Sequence, residues 1–561
     1  MTSQLNLQLL LYLFVTFSVS GQDYDRDYWF SAARATLDRR LLETHQYKDV
    51  AKNIVLMVGD GLGLPTLTAA RIFKGQRHGR PGESGNLAWD NFPALALAKT
   101  YNLDAQVGES SACATALLCG VKANLETVGL DVRGKFGNCT SSFISRVDSL
   151  LDWAQQEGKA TGLVTNTRVS HATPAALYAH SASRYWEDDS KVPENSRKSC
   201  KDIARQLVED DPGRHIHVVM GGGRRHWLPK VSRDPEPDGQ EGRRLDGRNL
   251  IDDWLRDKRR RGLRAEYVWN TRTLDKLQLD KVDRLLGLFS YSHMEFEANR
   301  NVGPEGDPSL PKMTRTALKI LTRNPRGFFL FVESGRIDHA HHYNNPYRAL
   351  DETLMLEESL LEVLSVVDPS ETLIVVTSDH SHVLSFGGLN TPIGNPILGA
   401  DTSVSDVDGR PYSTLLYGNG PGHASPRTDN SSGVNAVHGS AAPRQWATHG
   451  GEDVPVYAQG PQATMLFTGT VDQSFIPHAV AYSACLGEQG NSKRCQRRNE
   501  TKHGQTGGCE SPEVNTIITG SKTGGGRMLA SSVLSDSAAR GATSILSMFL
   551  VIDFIFYSNI F

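Results

Sequence analysis

The run NIVLMVGDGLG at residues 53–63 decides how the chain is read. A nearly all-apolar stretch closed by a Gly-Asp-Gly turn suits a strand buried on both faces. The pattern recurs in TGLVT at 161–165, HIHVVM at 215–220, GFFLFV at 327–332 and TLIVVT at 372–377. Between these runs lie helical patterns, such as SFISRVDSLLDWAQQEG at 142–158, with apolar residues three or four apart. The alternation predicts an α/β fold, a three-layer sandwich around a large, mainly parallel central sheet. Residues 390–445, rich in Gly, Pro, Ser and Asn, read as an irregular surface insertion. The basic run Lys258–Arg261 reads as a solvated face. GDGLG itself lacks the G-x-G-x-x-G spacing of a dinucleotide loop.

In an open α/β sheet, ligands bind beyond the carboxyl ends of the strands. NIVLMV leads there to Asp60, TLIVVT to Asp379 and His380, and GFFLFV to Glu333, Asp338, His339 and His342. TGLVT leads, after a short loop, to His171 and Thr173. One acid at a strand end is ordinary loop chemistry. Asp60, Glu333, Asp338, Asp379, His342 and His380 together form a mixed oxygen and imidazole set, and clustered carboxylates take up protons unless a cation balances them. Asp338 and His342 are spaced i,i+4, so on a helix they share a face and can chelate one ion. Asp–His ligation suits zinc, an oxygen-rich neighbourhood suits magnesium, and the two Asp60 oxygens can bridge two ions. His341 and His382 read as surface or supporting histidines and stay outside the set.

A second stretch, QVGESSACATALLCG at 106–120, places Ser110 and Ser111 where an acidic loop gives way to small helix-forming residues. Serine at a helix start ordinarily caps it. The stretch lacks the second Gly of G-x-S-x-G, so an ordinary serine-hydrolase elbow is excluded.

The chain has 561 residues and a net charge of −3, so no basic field points to nucleic acid. Residues 6–20, NLQLLLYLFVTFSVS, read as a secretory signal with cleavage near Gly21 or Gln22, a membrane anchor being the competing reading. At the other end, ILSMFLVIDFIFYSNIF at 545–561 follows the small residues around 535–539. This is the pattern of a GPI-attachment signal whose tail is removed; the alternative is a retained tail, and Asp553 is costly in either. Seven cysteines fit an exported chain. Cys139 with Cys200 and Cys485 with Cys495 are candidate pairs, Cys509 is left over, and Cys113 and Cys119 read as buried thiols. Asn138, Asn430 and Asn499 head glycosylation sequons.

The motifs NIVLMVGDGLG, ATALLCGVK, TRVSHATPA, RNPRGFFLFVESGRIDHAHH, TSDHSHV, LLYGNGPG and THGGEDVPVYAQGP resemble alkaline phosphatases of the secreted, GPI-anchored animal type, from about residue 50 to about 485. The resemblance implies a homodimer hydrolysing phosphate monoesters at the outer face of the cell membrane, with two zinc ions and one magnesium per subunit. By motif, Ser110 matches the phosphorylated serine and Arg184 the phosphate clamp. Asp338, His342 and His449 match one zinc site; Asp60, Asp379 and His380 match the other; Asp60, Thr173 and Glu333 match the magnesium site. His171 and His339 match histidines beside magnesium and phosphate. A further calcium-like site is matched by Glu236, the Phe289 carbonyl and Asp307, but Ser290 stands where a Glu ligand is usual, which weakens it.

The same resemblance implies a signal peptide at 1–21, a dimer-embracing N-terminal helix within 22–50 and a catalytic domain over 51–485 with a crown insertion about 390–445. After it come a cysteine-containing tail over 486–535 and a GPI propeptide over 536–561. Glu109 and Ser111 depart from the family's Asp and Ala or Gly around the nucleophile, and Cys113 from its usual Thr. Glu109, one methylene longer, is expected to seat Arg184 differently. Two rival readings are a catalytically silent GPI-anchored surface or biomineral-binding glycoprotein of the same fold, and a phosphodiesterase or sulfatase. The second would carry Thr or a modified Cys as nucleophile.

Overall fold

The computed structural model describes residues 25–43, 50–236, 239–426, 433–492 and 495. Ten strands form its central sheet. In chain order they are β1 (Asn53–Gly59), β2 (Ala94–Lys99), β3 (Ala160–Arg168), β4 (Val218–Gly222), β5 (Ala265–Val268), β6 (Arg284–Leu288), β7 (Phe328–Ser334), β8 (Thr372–Thr377), β9 (Val454–Gln459) and β10 (Gly469–Asp472). Their order across the sheet is β10-β2-β9-β8-β1-β7-β3-β4-β6-β5. Only β9 runs against its neighbours, so the sheet is mainly parallel.

β1 lies near the middle, and its side chains alternate between two cores. Ile54, Leu56 and Val58 join Leu117, Phe329 and Phe331 on one face; Val55 and Met57 join Phe73, Leu330 and Val332 on the other. A strand buried on both faces needs no polar alternation, which is why NIVLMV reads as an unbroken apolar run.

The helices that matter to the site are α1 (Arg26–Glu43), α2 (Leu64–Arg77), α3 (Ser110–Cys119), α4 (Leu310–Leu321), α5 (Arg336–His342), α6 (Pro346–Val366) and α7 (Phe475–Ala484). α1 is anchored on its own chain: Phe30 meets the rings of His478 on α7 and Trp153 edge-on, at 4.6 and 5.9 Å.

The structure departs from the sequence reading in four places. The 142–158 pattern yields a helix only over Leu150–Gln156, because Ser149 caps it there by accepting from the Leu151 and Asp152 amides at 3.2 and 3.3 Å. HIHVVM is strand only from Val218, its start being drawn into a 3-10 turn over Gly213–His215. The 390–445 stretch is not wholly irregular. It holds an antiparallel pair, Ala400–Val404 with Pro411–Ser413, and Leu415–Gly420 pairs with Leu384–Phe386 and Ser440–Pro443. Lys258 is buried rather than solvated, its ammonium donating to the Arg214 carbonyl at 2.7 Å and pairing with Asp257.

Cys139–Cys200 and Cys485–Cys495 form disulfides, while Cys113 and Cys119 are buried free thiols. Asn138 is exposed. Asn430, Asn499, Cys509 and both terminal apolar runs lie outside the described residues. Among those residues, no helix is long and apolar enough to cross a membrane.

Candidate active site

Parallel register brings the strand ends into one row. Val58 of β1 pairs with Glu333 of β7 and Thr377 of β8, and Thr165 of β3 also pairs with Glu333. Asp60, Glu333 and Asp379 therefore leave the sheet side by side, all fully buried. Asp379 and Glu333 are each pinned by one oxygen. Asp379 Oδ1 accepts from the Gly61 and His380 amides at 3.2 and 2.9 Å, and Glu333 Oε2 accepts from the hydroxyls of Thr165 and Thr167. The rest is not satisfied: both Asp60 oxygens, Asp379 Oδ2, Glu333 Oε1 and the buried Thr173 hydroxyl have no hydrogen-bond partner. Burial and then its acidic neighbours push Asp60 well above the usual carboxylate range. Burial likewise lifts Asp379 and Glu333 to about 7. Crowded buried oxygens without donors are relieved by a multivalent cation.

Asp338 sits on α5, among three imidazoles. Its Oδ1 is 2.5 Å from His382 Nε2 and 3.3 Å from His449 Nε2, and its Oδ2 is 3.2 Å from His342 Nε2. Burial opposes ionisation of Asp338, but His342 and His382 outweigh it and hold the carboxyl well below its usual value. The Nδ1 atoms of His342 and His449 donate to the Ala447 and Gly108 carbonyls at 2.7 and 2.8 Å, which leaves Nε2 as the lone-pair nitrogen. Candidate ligand atoms of Asp338, His342, His382 and His449 lie within 4.8 Å of one another, and so do those of Asp60, Asp338 and His380. Carboxylate with imidazole fits zinc, and the oxygens of Asp60, Thr173 and Glu333 fit magnesium.

His382 and His341 were read from sequence as surface or supporting residues. Neither is at the surface, both being fully buried. His382 is the imidazole nearest Asp338, and the alternation in Asp379-His380-Ser381-His382 carries the signal, since residues two apart on an extended chain point the same way. His341 is structural, its ring held between the Thr66 hydroxyl at 3.0 Å and the Tyr417 hydroxyl at 2.9 Å.

Ser110 opens α3 with its hydroxyl 3.1 Å from His380 Nε2. Neither serine caps the helix. Glu109 is the cap, accepting from the Ser111 and Ala112 amides at 2.9 and 3.3 Å. Its carboxylate thus fills the seat that a helix N-terminus offers an anion. Glu109 also accepts the Glu126 amide at 3.0 Å and pairs with Arg184. Burial alone would raise this carboxyl, but Arg184 and then the Ser111 amide hold it below its usual value. Arg184 in turn places Nη2 3.3 Å from His171 Nε2.

A third cluster joins His171 and His339 with His293, which the sequence reading missed because no motif surrounds it. The His293 ring lies 4.9 Å from that of His171 and 4.4 Å from that of His339. These three have metal-ligand spacing. However, His171 faces Arg184, His293 faces Arg168, and His339 faces Arg336 at 2.9 Å, so each ring already has a guanidinium on one nitrogen. That environment suits an anion, and burial first, then neighbouring arginines and, for His293, His339, push all three imidazoles well below their usual value.

Arg168 is itself forked onto Glu187 at 2.7 and 2.8 Å. Burial raises the Glu187 carboxyl, but Arg168 and His226 prevail and bring it from 4.5 down to about 2. A depressed folded value stabilises the fold above pH 4.5, and that stability drains away as pH falls from 4.5 to about 2. Glu187→Gln is therefore expected to melt lower than wild type at pH 7 and to lose less stability across that acid window; thermal melts against pH read both.

The residues matched to calcium do not fit it. The buried Arg224 guanidinium pairs with Glu236 and with Asp234 at 2.7 Å, and Glu236 Oε1 also accepts the Tyr291 amide at 2.8 Å. A cation arriving at Glu236 would meet a cation, and Ser290 adds no third carboxylate to Glu236 and Asp307.

A mainly parallel sheet with metal-ligand clusters at its carboxyl edge, flanked by a serine and an arginine, defines the class as an α/β protein built to hold metal ions. Within that class the chain belongs to the alkaline phosphatase family, whose model matches residues 51–486. It is 47% identical to the tissue-nonspecific isozyme of Gallus gallus over 492 residues, covering 86% of this chain and 93% of that protein. Identity to the Homo sapiens tissue-nonspecific isozyme is 45% over 480 residues, 84% of this chain and 90% of that one. Among solved structures, the Thermus thermophilus alkaline phosphatase superposes with a TM-score of 0.57 at 23% identity, over 81% of this chain and 96% of that one. Family membership makes the chain a phosphomonoesterase.

Proposed function

We propose that the chain hydrolyses phosphate monoesters through a phosphoserine on Ser110. The observation that carries this reading is Ser110 at the mouth of the basket, its hydroxyl 3.1 Å from His380 Nε2 and its neighbour Glu109 paired to Arg184. Asp338, His342 and His449 would hold one zinc ion, Asp60, Asp379 and His380 a second, and Asp60, Thr173 and Glu333 a magnesium ion. When bound, these ions supply positive charge for the phosphoryl oxygens and lower the pKa of a hydroxyl.

The protein's own part is orientation. Arg184, fixed from behind by Glu109, offers a planar fork for two non-bridging oxygens, which a lysine cannot match. Ser110 Oγ forms the bond to phosphorus as the ester oxygen leaves with the alcohol. Water later cleaves the phosphoserine and returns the Ser110 hydroxyl. His171 and His339 would face the bound phosphate with neutral N–H groups.

The same reading makes the chain a GPI-anchored, glycosylated homodimer on the outer face of the cell membrane. Support comes from the two terminal apolar runs, the paired cysteines and the exposed Asn138 sequon. The domain boundaries follow it, with the catalytic domain over 51–485 and the crown about 390–445. A silent binding glycoprotein would have no need of a buried acidic basket with unpaired oxygens. The test is p-nitrophenyl phosphate hydrolysis at alkaline pH with and without chelator. Turnover that a chelator abolishes is expected; turnover indifferent to it would overturn the metal assignment.

A further inference from the structure

We propose that the ring of Tyr185 is the face on which the leaving group rests, so that this enzyme favours phosphate monoesters of aromatic alcohols over those of small polyols. The proposal rests on the phosphomonoesterase reading and adds a substrate class to it.

Tyr185 follows the phosphate-clamp residue Arg184, and its ring centre lies 6.0 Å from that guanidinium carbon. The side chain is 52% exposed, yet it is held at both ends. Its hydroxyl donates to Glu126 Oε1 at 2.5 Å, and Phe136, itself exposed, meets the ring edge-on at 6.4 Å. Burial, and then the bond to Glu126, push the phenol up to about 12, so it stays neutral in alkaline solution and does not repel a phosphate dianion.

Glu126 is an unusual anchor. Its φ is 61°, a left-handed backbone that non-glycine residues rarely adopt. That conformation lets one residue hold three parts of the site. Its amide donates to Glu109 Oε2 at 3.0 Å, its carbonyl accepts the Arg184 amide at 2.9 Å, and its carboxylate accepts the Tyr185 hydroxyl. The ring is thereby set in fixed relation to both halves of the phosphate clamp.

Apolar side chains are exposed on the segments that carry the clamp. Val107, two residues before Glu109, is 42% exposed, and Leu125, just before Glu126, is 38% exposed. One oxygen of each neighbouring carboxylate is engaged, Glu126 Oε1 by Tyr185 and Asp104 Oδ1 by the Leu125 amide at 2.9 Å. An exposed aromatic held in one orientation loses little further entropy when a second ring stacks on it, so the contact contributes to affinity. A polyol has no ring to stack on Tyr185 and gains nothing from that face.

The experiment uses the full-length, metal-loaded enzyme and the ratio of kcat/KM for 1-naphthyl phosphate to that for glycerol 2-phosphate. A ratio cancels any general loss from disturbed folding or metal loading. Tyr185→Ala is expected to lower it about fivefold, mainly through KM for the naphthyl ester, and Phe136→Ala about twofold. A Tyr185→Ala ratio within the error of wild type overturns the proposal, including the case in which both rates fall together, since Tyr185 would then only position Arg184. A wild-type enzyme inactive on both esters overturns the phosphomonoesterase reading beneath it, and the wild-type control separates that result from the first.

Discussion

Replacing Ser110 by alanine is expected to lower kcat by about four orders of magnitude, with the protein still folded and still able to bind phosphate. The side chain is nearly fully buried at the first position of α3, and only its hydroxyl is removed. Its one hydrogen-bond contact is His380 Nε2, so truncation leaves no new charge unpaired. The cap of α3 survives as well, because Glu109 and not Ser110 accepts the Ser111 and Ala112 amides. What disappears is the nucleophile. The residual rate is then that of water attacking an ester already oriented by Arg184. Two measurements separate this from collapse of the site. Inorganic phosphate should still inhibit or protect the variant, and acid-quenched protein should carry labelled phosphate on wild type but none on Ser110→Ala. Wild-type turnover in the variant would move the covalent step to another residue.

The parts of this site legible in the sequence are those that one strand and its own turn create. Asp60, Glu333 and Asp379 follow unbroken apolar runs, and parallel pairing of β1 with β7 and β8 makes their meeting a consequence of register. Asp338 and His342 are legible for the same reason, through the pitch of α5. His449 is not local, because it reaches Asp338 only through a two-residue ladder with His382. Its place comes from motif resemblance, whereas His382 is signalled by its two-residue spacing from His380. His293 lies on a loop without periodicity and was invisible for that reason.

The capping assignment failed differently. Serine and glutamate both occur at helix starts, and which one turns its oxygen to the amides depends on Arg184, 75 residues away. The five apolar runs leave out β2, β5, β6, β9 and β10; in β2 and β9, Ala-Leu alternation and a Pro-containing run weaken the pattern that the buried strands display so clearly.

The second large effect concerns Asp60, and it has two opposite signs. With metal supplied, Asp60→Asn is expected to lower kcat on the order of a thousandfold, because a carboxylate shared by two proposed sites loses its negative charge and one of its two donor oxygens. Without metal, the same substitution should stabilise the protein. Asp60 is fully buried with neither oxygen hydrogen-bonded, His380 Nε2 standing 3.4 Å from Oδ1, and Asp379, Asp338 and Glu333 all bear on it. In chelated wild type this crowding has no counter-charge, and removing one acid relieves about 1–3 kcal/mol of desolvation and repulsion. The two signs can be read in one experiment, with thermal melts of both proteins, each chelated and each saturated with zinc and magnesium. Wild type should gain much from metal and Asp60→Asn little, so the order of the two melting temperatures reverses between conditions. A variant less stable than wild type in both states would mean that Asp60 holds the fold through a contact of its own. The reversal is what distinguishes an acid kept for a cation from an acid kept for the protein.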